Sequence, residues 1–397
     1  MREPTDTRSE ELNAAKTKER SPRIVSVVLN DFQNDNRVLK MCKTLRKHGC
    51  LAEVVALWRP GLELSGQVEE VPYRRIKLKT YSWPSALNFF KMLEFSWRLR
   101  WNYRSKDIWL LNDFEALLVY ALGALLGLRV KIAYDSHELQ SDRAGMTNPW
   151  YRRMVIAVER LFLKATTPVF NVSPGIVNIY EQRYGLKNQH LIMNLPEGRP
   201  ELGHHSKFRD RWPQIHPDAT VFICQGKLTR QRGLEILVQA FERLNPDEFV
   251  LVLMGFGPMY DELAAVAEAS PNIYIHPAVP HSEITDYTSS ADWGITNVQN
   301  ICLSYLHSLP NKLFEYVQSG IPVIASNLED TENFIRDNEV GLVMDGESIE
   351  SVVNTLREAR ELGAARFGAA VLRAAEKYRW ERQEPTIVKT FDELASS

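Results

Sequence analysis

Cysteine is scarce: the 397 residues hold four, Cys42, Cys50, Cys224 and Cys302. Their spacings match neither a disulfide framework nor a zinc site, so reduced thiols are expected. No apolar run reaches the roughly 20 residues that a helix needs to span a bilayer. The longest, "ALLVYALGALLGL" from Ala116 to Leu128, reads as a buried helix. Residues 1–22 are polar and lack the apolar stretch of a signal peptide, which predicts a disordered leader and a cytoplasmic location. Excess charge is missing as well. With 48 Lys and Arg against 50 Asp and Glu, the formal net charge is −2, which argues against a chain that binds nucleic acid with its whole surface. Two short motifs are absent. The loop after the first predicted strand, "NDFQNDNR", has no Gly-x-Gly-x-x-Gly, which counts against a nicotinamide-dependent oxidoreductase. No Asp-x-Asp occurs anywhere, so a diphosphate would not be held through a metal on that motif.

What is present is an ordinary balance for a soluble chain of about two or three domains, 44% hydrophobic and 25% charged. Short β-type runs alternate with helical patterns, the sign of parallel sheets covered by helices. The pattern occurs twice. In the first half strands are predicted over 23–29, 52–58, 107–112, 131–136, 168–173 and 190–194. In the second they fall over 221–226, 248–255, 272–277, 293–297, 322–326 and 341–345. A Pro-, Gly- and charge-rich stretch lies between. The expected architecture is α/β, with Rossmann-like domains over 23–200 and 221–375 and a linker over 201–220.

Ligands of open α/β sheets sit beyond the carboxyl ends of the strands. There the second half places Lys227, Arg230 and Arg232, then the tight turn Gly255-Phe256-Gly257-Pro258. It also places "HSLPNKLFEYVQSGIPVIAS", residues 307–326, a helix feeding a strand. Ser308 suits a cap, Pro310 a first helical turn and Gly320 a left-handed stop. Bare N–H groups and Lys312 at the helix start suit an anion, with Glu315 one turn beyond Asn311 on the same side. Cations and glycine-relieved backbone amides at successive strand ends are what a diphosphate requires.

These blocks resemble the retaining, nucleotide-sugar-dependent glycosyltransferases of the GT-B group, family 4 above all. "GKLTRQRGLEILVQAF" is similar to that family's glycine, cation and second-cation segment, "MGFGP" to its Gly-x-Gly-Pro turn, and "HSLPNKLFEYVQSGIPV" to its paired-Glu block. In the first half "YDSHEL", "NVSPGIVNIYEQRYG" and "IMNLPE" resemble family blocks, and "KYRWERQEPTIVKTFDEL" resembles a terminal helix crossing back onto the N-domain, over 376–397. The resemblance implies two Rossmann-like domains facing a central cleft, and retention at the anomeric carbon. It implies catalytic roles for His137, Lys227, Arg232 and Glu315, the last anchoring the nucleotide ribose. Donor contacts are implied for Gly226, Gly255, Gly257, Pro258, Val279, His307, Ser308, Leu309, Asn311 and Lys312. His307 replaces the first Glu of the family's pair. No cofactor and no metal are implied, since protein cations take the diphosphate.

The acceptor is expected among Asp35, Arg37, Asp113 and Glu138 of the N-domain. Asp35 and Arg37 equally suit capping of the helix that follows them. From Tyr73 to Lys106 the charges are almost all basic, Glu94 being the one acid, among Trp83, Phe89, Phe90, Phe95, Trp97 and Trp101. Such a mixture suits an anionic membrane surface or a lipid pyrophosphate, and equally a helix pair with its aromatics in the core. The expected partners are therefore a nucleotide sugar, a glycan or lipid-linked acceptor and an anionic membrane surface, without nucleic acid. A non-catalytic glycosyltransferase-like subunit is the alternative.

Overall fold

Uncharged runs of Val, Ile and Leu suit strands buried on both faces, and two parallel sheets are built from them. The computed structural model describes residues 23–33, 35–84, 87–103, 107–164, 167–200, 203 and 205–397. The expected leader, residues 1–22, lies outside them. The first sheet contains β1 (Arg23–Val27), β2 (Leu51–Leu57), β3 (Ser65–Val68), β4 (Val71–Ile76), β5 (Ile108–Asn112), β6 (Lys131–Ser136), β7 (Val169–Asn171) and β8 (Gln189–Leu191). Their order is β3-β4-β2-β1-β5-β6-β7-β8, parallel throughout except for β3 against β4. Its helices are α1 (Asn36–Lys47), α2 (Asn88–Asn102), α3 (Asp113–Leu125), α4 (Pro149–Phe162) and α5 (Pro174–Tyr184).

Side chains alternate across this sheet. Val25, Val27, Trp109 and Leu111 join a core with Phe95, Phe114, Val155 and Ile176 from α2 to α5. Ile24, Ile108 and Leu110 face the other way, onto Val38 and Met41 of α1. The apolar run from Ala116 falls mainly in α3, where Ala116, Leu117, Val119 and Ala121 are buried. Among the described residues no helix is long and apolar enough to cross a membrane. Strands β3 and β4 are absent from the sequence reading. Gly66, Pro72, Arg74 and Arg75 break the apolar pattern, as is common at a sheet edge.

The second sheet holds β9 (Thr220–Lys227), β10 (Phe249–Phe256), β11 (Ile273–Pro277), β12 (Trp293–Thr296), β13 (Val323–Ser326) and β14 (Gly341–Met344). All are parallel, in the order β11-β10-β9-β12-β13-β14, with Leu253 opposite both Cys224 and Ile275. The helices here are α6 (Lys207–Arg211), α7 (Leu234–Phe241), α8 (Tyr260–Ala269), α9 (Ile284–Thr288), α10 (Leu303–Leu306), α11 (Asn311–Gln318), α12 (Glu329–Asn338), α13 (Ile349–Leu362) and α14 (Gly368–Lys377). All four cysteines are free.

The expected linker is more than a connection. Its α6 inserts Phe208 into the second domain's core, joined there by Ile215, Ala219 and even Leu195, so that domain begins before residue 201. Apolar residues spaced among Pro and charge carry no helical period, which hides such anchoring. Within α14, Val371 and Ala375 still pack on the second domain, whereas Trp380 and α15 (Glu384–Ser396) beyond it pack on the first. The two crossings run side by side, the Trp380 N–H donating to the Pro196 carbonyl at 2.9 Å.

Candidate functional site

Each sheet reverses its strand order at one point. In the first, β1 lies between β2 and β5; in the second, β9 lies between β10 and β12. A crevice opens outside the strand ends at such switch points. Between the domains lies a cavity of about 360 Å³, lined from the first domain by His137 and Glu138 after β6 and by Val172 and Ile176 after β7, and from the second mainly by residues 225–227, Arg232 and 304–315.

The second domain's wall is built on close backbone approach. Gly226 has a φ of +107°, and a Cβ on Gly255 would collide with its carbonyl oxygen, so β9 and β10 pair through Gly226 and Gly255 because the first tolerates that φ and the second has no Cβ. Gly257, at φ +144°, likewise lies against the Leu228 carbonyl. This fixes the turn carrying Lys227, which is exposed, and Arg232, whose guanidinium lies over the Tyr305 ring at 5.5 Å. Helix α11 points its N-terminus into the same space. Pro310 is its N-cap without a side-chain bond, so the first amides stay open to an anion, while Lys312 reaches the Cys224 sulfur at 3.6 Å. Glu315 is held by Gln225, whose Nε2 donates to its Oε2 at 2.6 Å; Gln225 is itself fixed by the Thr288 hydroxyl at 2.7 Å. The wall thus has cations and amides for a diphosphate and, beyond them, an oriented carboxylate for hydroxyl groups.

On the opposite wall His137 stands between two carboxylates. Its Nδ1 is 3.1 Å from Asp113 Oδ2 and its Nε2 is 3.2 Å from Asp135 Oδ2. Burial disfavours the imidazolium, but the two carboxylates outweigh it and raise the His137 pKa well above its ordinary value. Burial also works against the Asp135 carboxylate, yet Arg37 and His137 bring its pKa down to about 2. Arg37 closes the chain with a short ion pair to Asp135 at 2.6 Å. Asp113 adopts a φ of +61°, uncommon without glycine, which aims its carboxylate at both the backbone N–H and the ring of His137. Glu138 lies beside Arg143 at 3.6 Å; burial first, and then the charge of Asp113, raise its pKa.

Several expected residues stand elsewhere. Arg37 is buried and committed to Asp135 and the Ile192 carbonyl, so it orients the wall instead of meeting an acceptor. Asp35 caps α1, accepting from the Val38 N–H. Gly255 and Gly257 support the Lys227 turn from behind, neither they nor Pro258 line the cavity, and Val279 packs on the second domain's core. Arg230 is drawn outward to Glu235 and Glu262. His307 is buried and turned from the cavity, against Gly175 of the first domain. Ser308 and Leu309 do line it, but Ser308 makes no cap; its buried Oγ has no partner. The sequence did not single out Gln225 or Tyr305, and Asp135 stands in the quoted block "YDSHEL" without an assigned role. The strand-end rule points at Gln225, the last side chain before Gly226, and would have found it.

Among the described residues no group of three or more His, Cys, Asp or Glu is placed to hold a metal ion. The family model described as Glycosyltransferase Family 4 matches residues 35–194, and that described as Glycosyl transferases group 1 matches residues 219–361. One glycosyltransferase model matches each domain, which makes the chain a family 4-like glycosyltransferase with the GT-B fold of two facing domains. Over 192 residues it is 24% identical to a GDP-mannose-dependent alpha-(1-6)-phosphatidylinositol monomannoside mannosyltransferase of Mycobacterium tuberculosis. That match covers 46% of this chain and 49% of the relative, about half its length. Sucrose-phosphate synthase from Thermosynechococcus elongatus superposes with a TM-score of 0.75 at 15% identity, covering 95% of this chain and 100% of that one. HepE of Anabaena, in complex with UDP-glucose, gives 0.73 at 13% identity, with coverages of 94% and 99%. At such identities the likeness is one of fold.

Proposed function

We propose that the chain transfers a sugar from a nucleotide diphosphate-sugar to a glycan or lipid-linked acceptor, with retention at the anomeric carbon. The observation that carries this reading is the cavity's division of labour: Lys227, Arg232, Lys312 and the open amides of α11 on one side of Glu315, and the His137 cation on the facing wall. The diphosphate would lie on the cations and the ribose diol on Glu315. As the bond from the anomeric carbon to the phosphate oxygen breaks, negative charge grows where those cations already stand, which is preorganised stabilisation of the leaving group. The acceptor hydroxyl would add from the same face and pass its proton to the leaving phosphate oxygen. Protein cations would replace a metal, and the resident cofactor set is none. UDP-glucose in HepE and the phosphatidylinositol mannoside in the mycobacterial relative's name support the donor and acceptor classes.

A peripheral position at the inner face of a membrane, in polysaccharide or glycolipid assembly, fits the outer surface of α2. Phe95 is in the core, but Phe89, Phe90, Trp97 and Trp101 are exposed beside Arg100, and Leu125 and Leu126 continue the patch from α3. The direct test incubates the protein with a panel of nucleotide sugars and acceptors and follows the product's anomeric proton by NMR, with and without excess EDTA. The donor's configuration should be kept and EDTA should leave the rate unchanged. Inversion, or activity that EDTA abolishes and magnesium or manganese restores, would overturn the mechanism.

A further inference from the structure

His307 is the residue whose position least matches its neighbours in sequence. Ser308 and Leu309 line the donor cavity, yet the His307 ring is buried against the other domain, with 8% of its surface exposed. There the first turn of α5 takes hold of it. Ser173 Oγ donates to the His307 carbonyl at 2.6 Å, and the Gly175 N–H donates to Asp330 Oδ2 at 2.9 Å. Asp330, on α12, is nearly buried at 6% exposure, and its carboxylate stands 3.8 Å from His307 Nδ1. Glu329 is the other charged group facing the ring, at 3.9 Å, and His307 Nδ1 has no hydrogen-bond partner. The fit is close: a Cβ on Gly175 would strike both the His307 ring and the Asp330 carboxylate.

The same segment is tied elsewhere. Leu303 packs on the first domain's core, Ser304 Oγ accepts from the Leu139 N–H at 3.2 Å, and Thr331 Oγ1 donates to the Ser308 carbonyl at 2.7 Å. Residues 303–309 therefore have two faces, one gripped by the first domain and one forming the wall on which the donor would lie. A short segment with two such faces cannot move on one without disturbing the other, because packed interfaces shift between discrete arrangements.

We propose that Ser173, Gly175, His307 and Asp330 form a latch that holds the two domains closed, and that through residues 303–309 this latch positions the donor wall. His307 is thus a positioning residue and not a sugar contact. The second clause rests on the donor reading given above; the first does not.

The test uses the full chain and the variants His307→Ala, Asp330→Ala and Gly175→Val, each first checked for a wild-type circular dichroism spectrum and a cooperative melt. Small-angle scattering without ligand reads closure directly. Wild type should scatter as the closed form, and the variants should show a larger radius of gyration. In transfer assays kcat should fall roughly tenfold while the Kd for free UDP or GDP stays within about threefold, since the cations proposed to hold the diphosphate, Lys227, Arg232 and Lys312, lie outside residues 303–309. His307→Gln, which keeps a polar side chain of similar reach packed against Gly175 and Asp330, should retain closure and kcat together. Wild-type scattering and kcat in all three Ala and Val variants would overturn the latch. A fall in diphosphate affinity that matches the fall in kcat would overturn its role as a positioning device. Should no nucleoside diphosphate bind wild type, the donor reading fails, and the scattering comparison still decides closure.

Discussion

His137 shows how much a single residue's chemistry depends on partners that are distant in sequence. A carboxylate on each ring nitrogen makes both nitrogens donors, so the side chain is a fixed cation instead of a proton shuttle. Because its folded-state pKa is raised, its contribution to stability is present in full below about 6.5 and is lost as pH rises through the folded value. In NMR titrations the His137 imidazole should stay doubly protonated well above the ordinary histidine midpoint, and Asp113→Asn should bring its titration down towards the ordinary range. A wild-type midpoint near 6.5 would remove the fixed-charge role. The sequence pointed to His137, Lys227, Arg232, Lys312 and Glu315 because strand ends and helix starts have readable grammar. It did not reveal which way His307 or Arg37 turns, since both orientations are set by partners far along the chain, Gly175 and Asp135.

At the scale of elements, fully buried parallel strands were legible as apolar runs, while the edge pair β3 and β4 was not, because edges carry the polar and proline residues that also mark loops. Two elements make separate predictions. Helix α15 returns to the first domain and buries Phe391 in a stack with Phe170 at 5.9 Å. Phe391→Ala should lower unfolding stability by about 3–5 kcal/mol, read as a lower urea midpoint. An unchanged midpoint would mean that the helix is only loosely docked. Helix α2 exposes Trp97 and Trp101, 5.7 Å apart, beside Arg100. The other basic side chains of that segment divide: Arg98 is held by Glu94, and Arg104 and Lys106 lie outside the described residues. Trp97→Ser, Trp101→Ser and Arg100→Glu together should weaken sedimentation with anionic liposomes, the charge change alone by roughly 1 kcal/mol and in a salt-dependent way. Donor binding should be spared. If wild type ignores such liposomes at low salt, the patch has another role.

For the whole molecule, the two domains turn strand ends towards each other, β6 and β7 from the first and β9 and β12 from the second, and enclose one cavity whose walls differ in chemistry. One wall collects positive charge around a fixed turn and a helix start; the other presents the His137 cation among carboxylates. Both domains are needed for it, and the side-by-side crossings at Pro196 and Trp380 keep them facing. Glu315 connects the scales, since Gln225 from a strand, Thr288 from a second helix and the backbone of α11 all fix its carboxylate. Its oxygens suit a ribose diol through charge-assisted hydrogen bonds, which are worth roughly 1.5–3 kcal/mol. Calorimetric titration of UDP and GDP into wild type and Glu315→Gln is therefore the most direct measurement. One of the two diphosphates should bind wild type without added metal, and the substitution should weaken that binding by roughly 1.5–3 kcal/mol with the fold intact. Equal affinity in the two proteins would contradict the placement of a nucleotide on this wall.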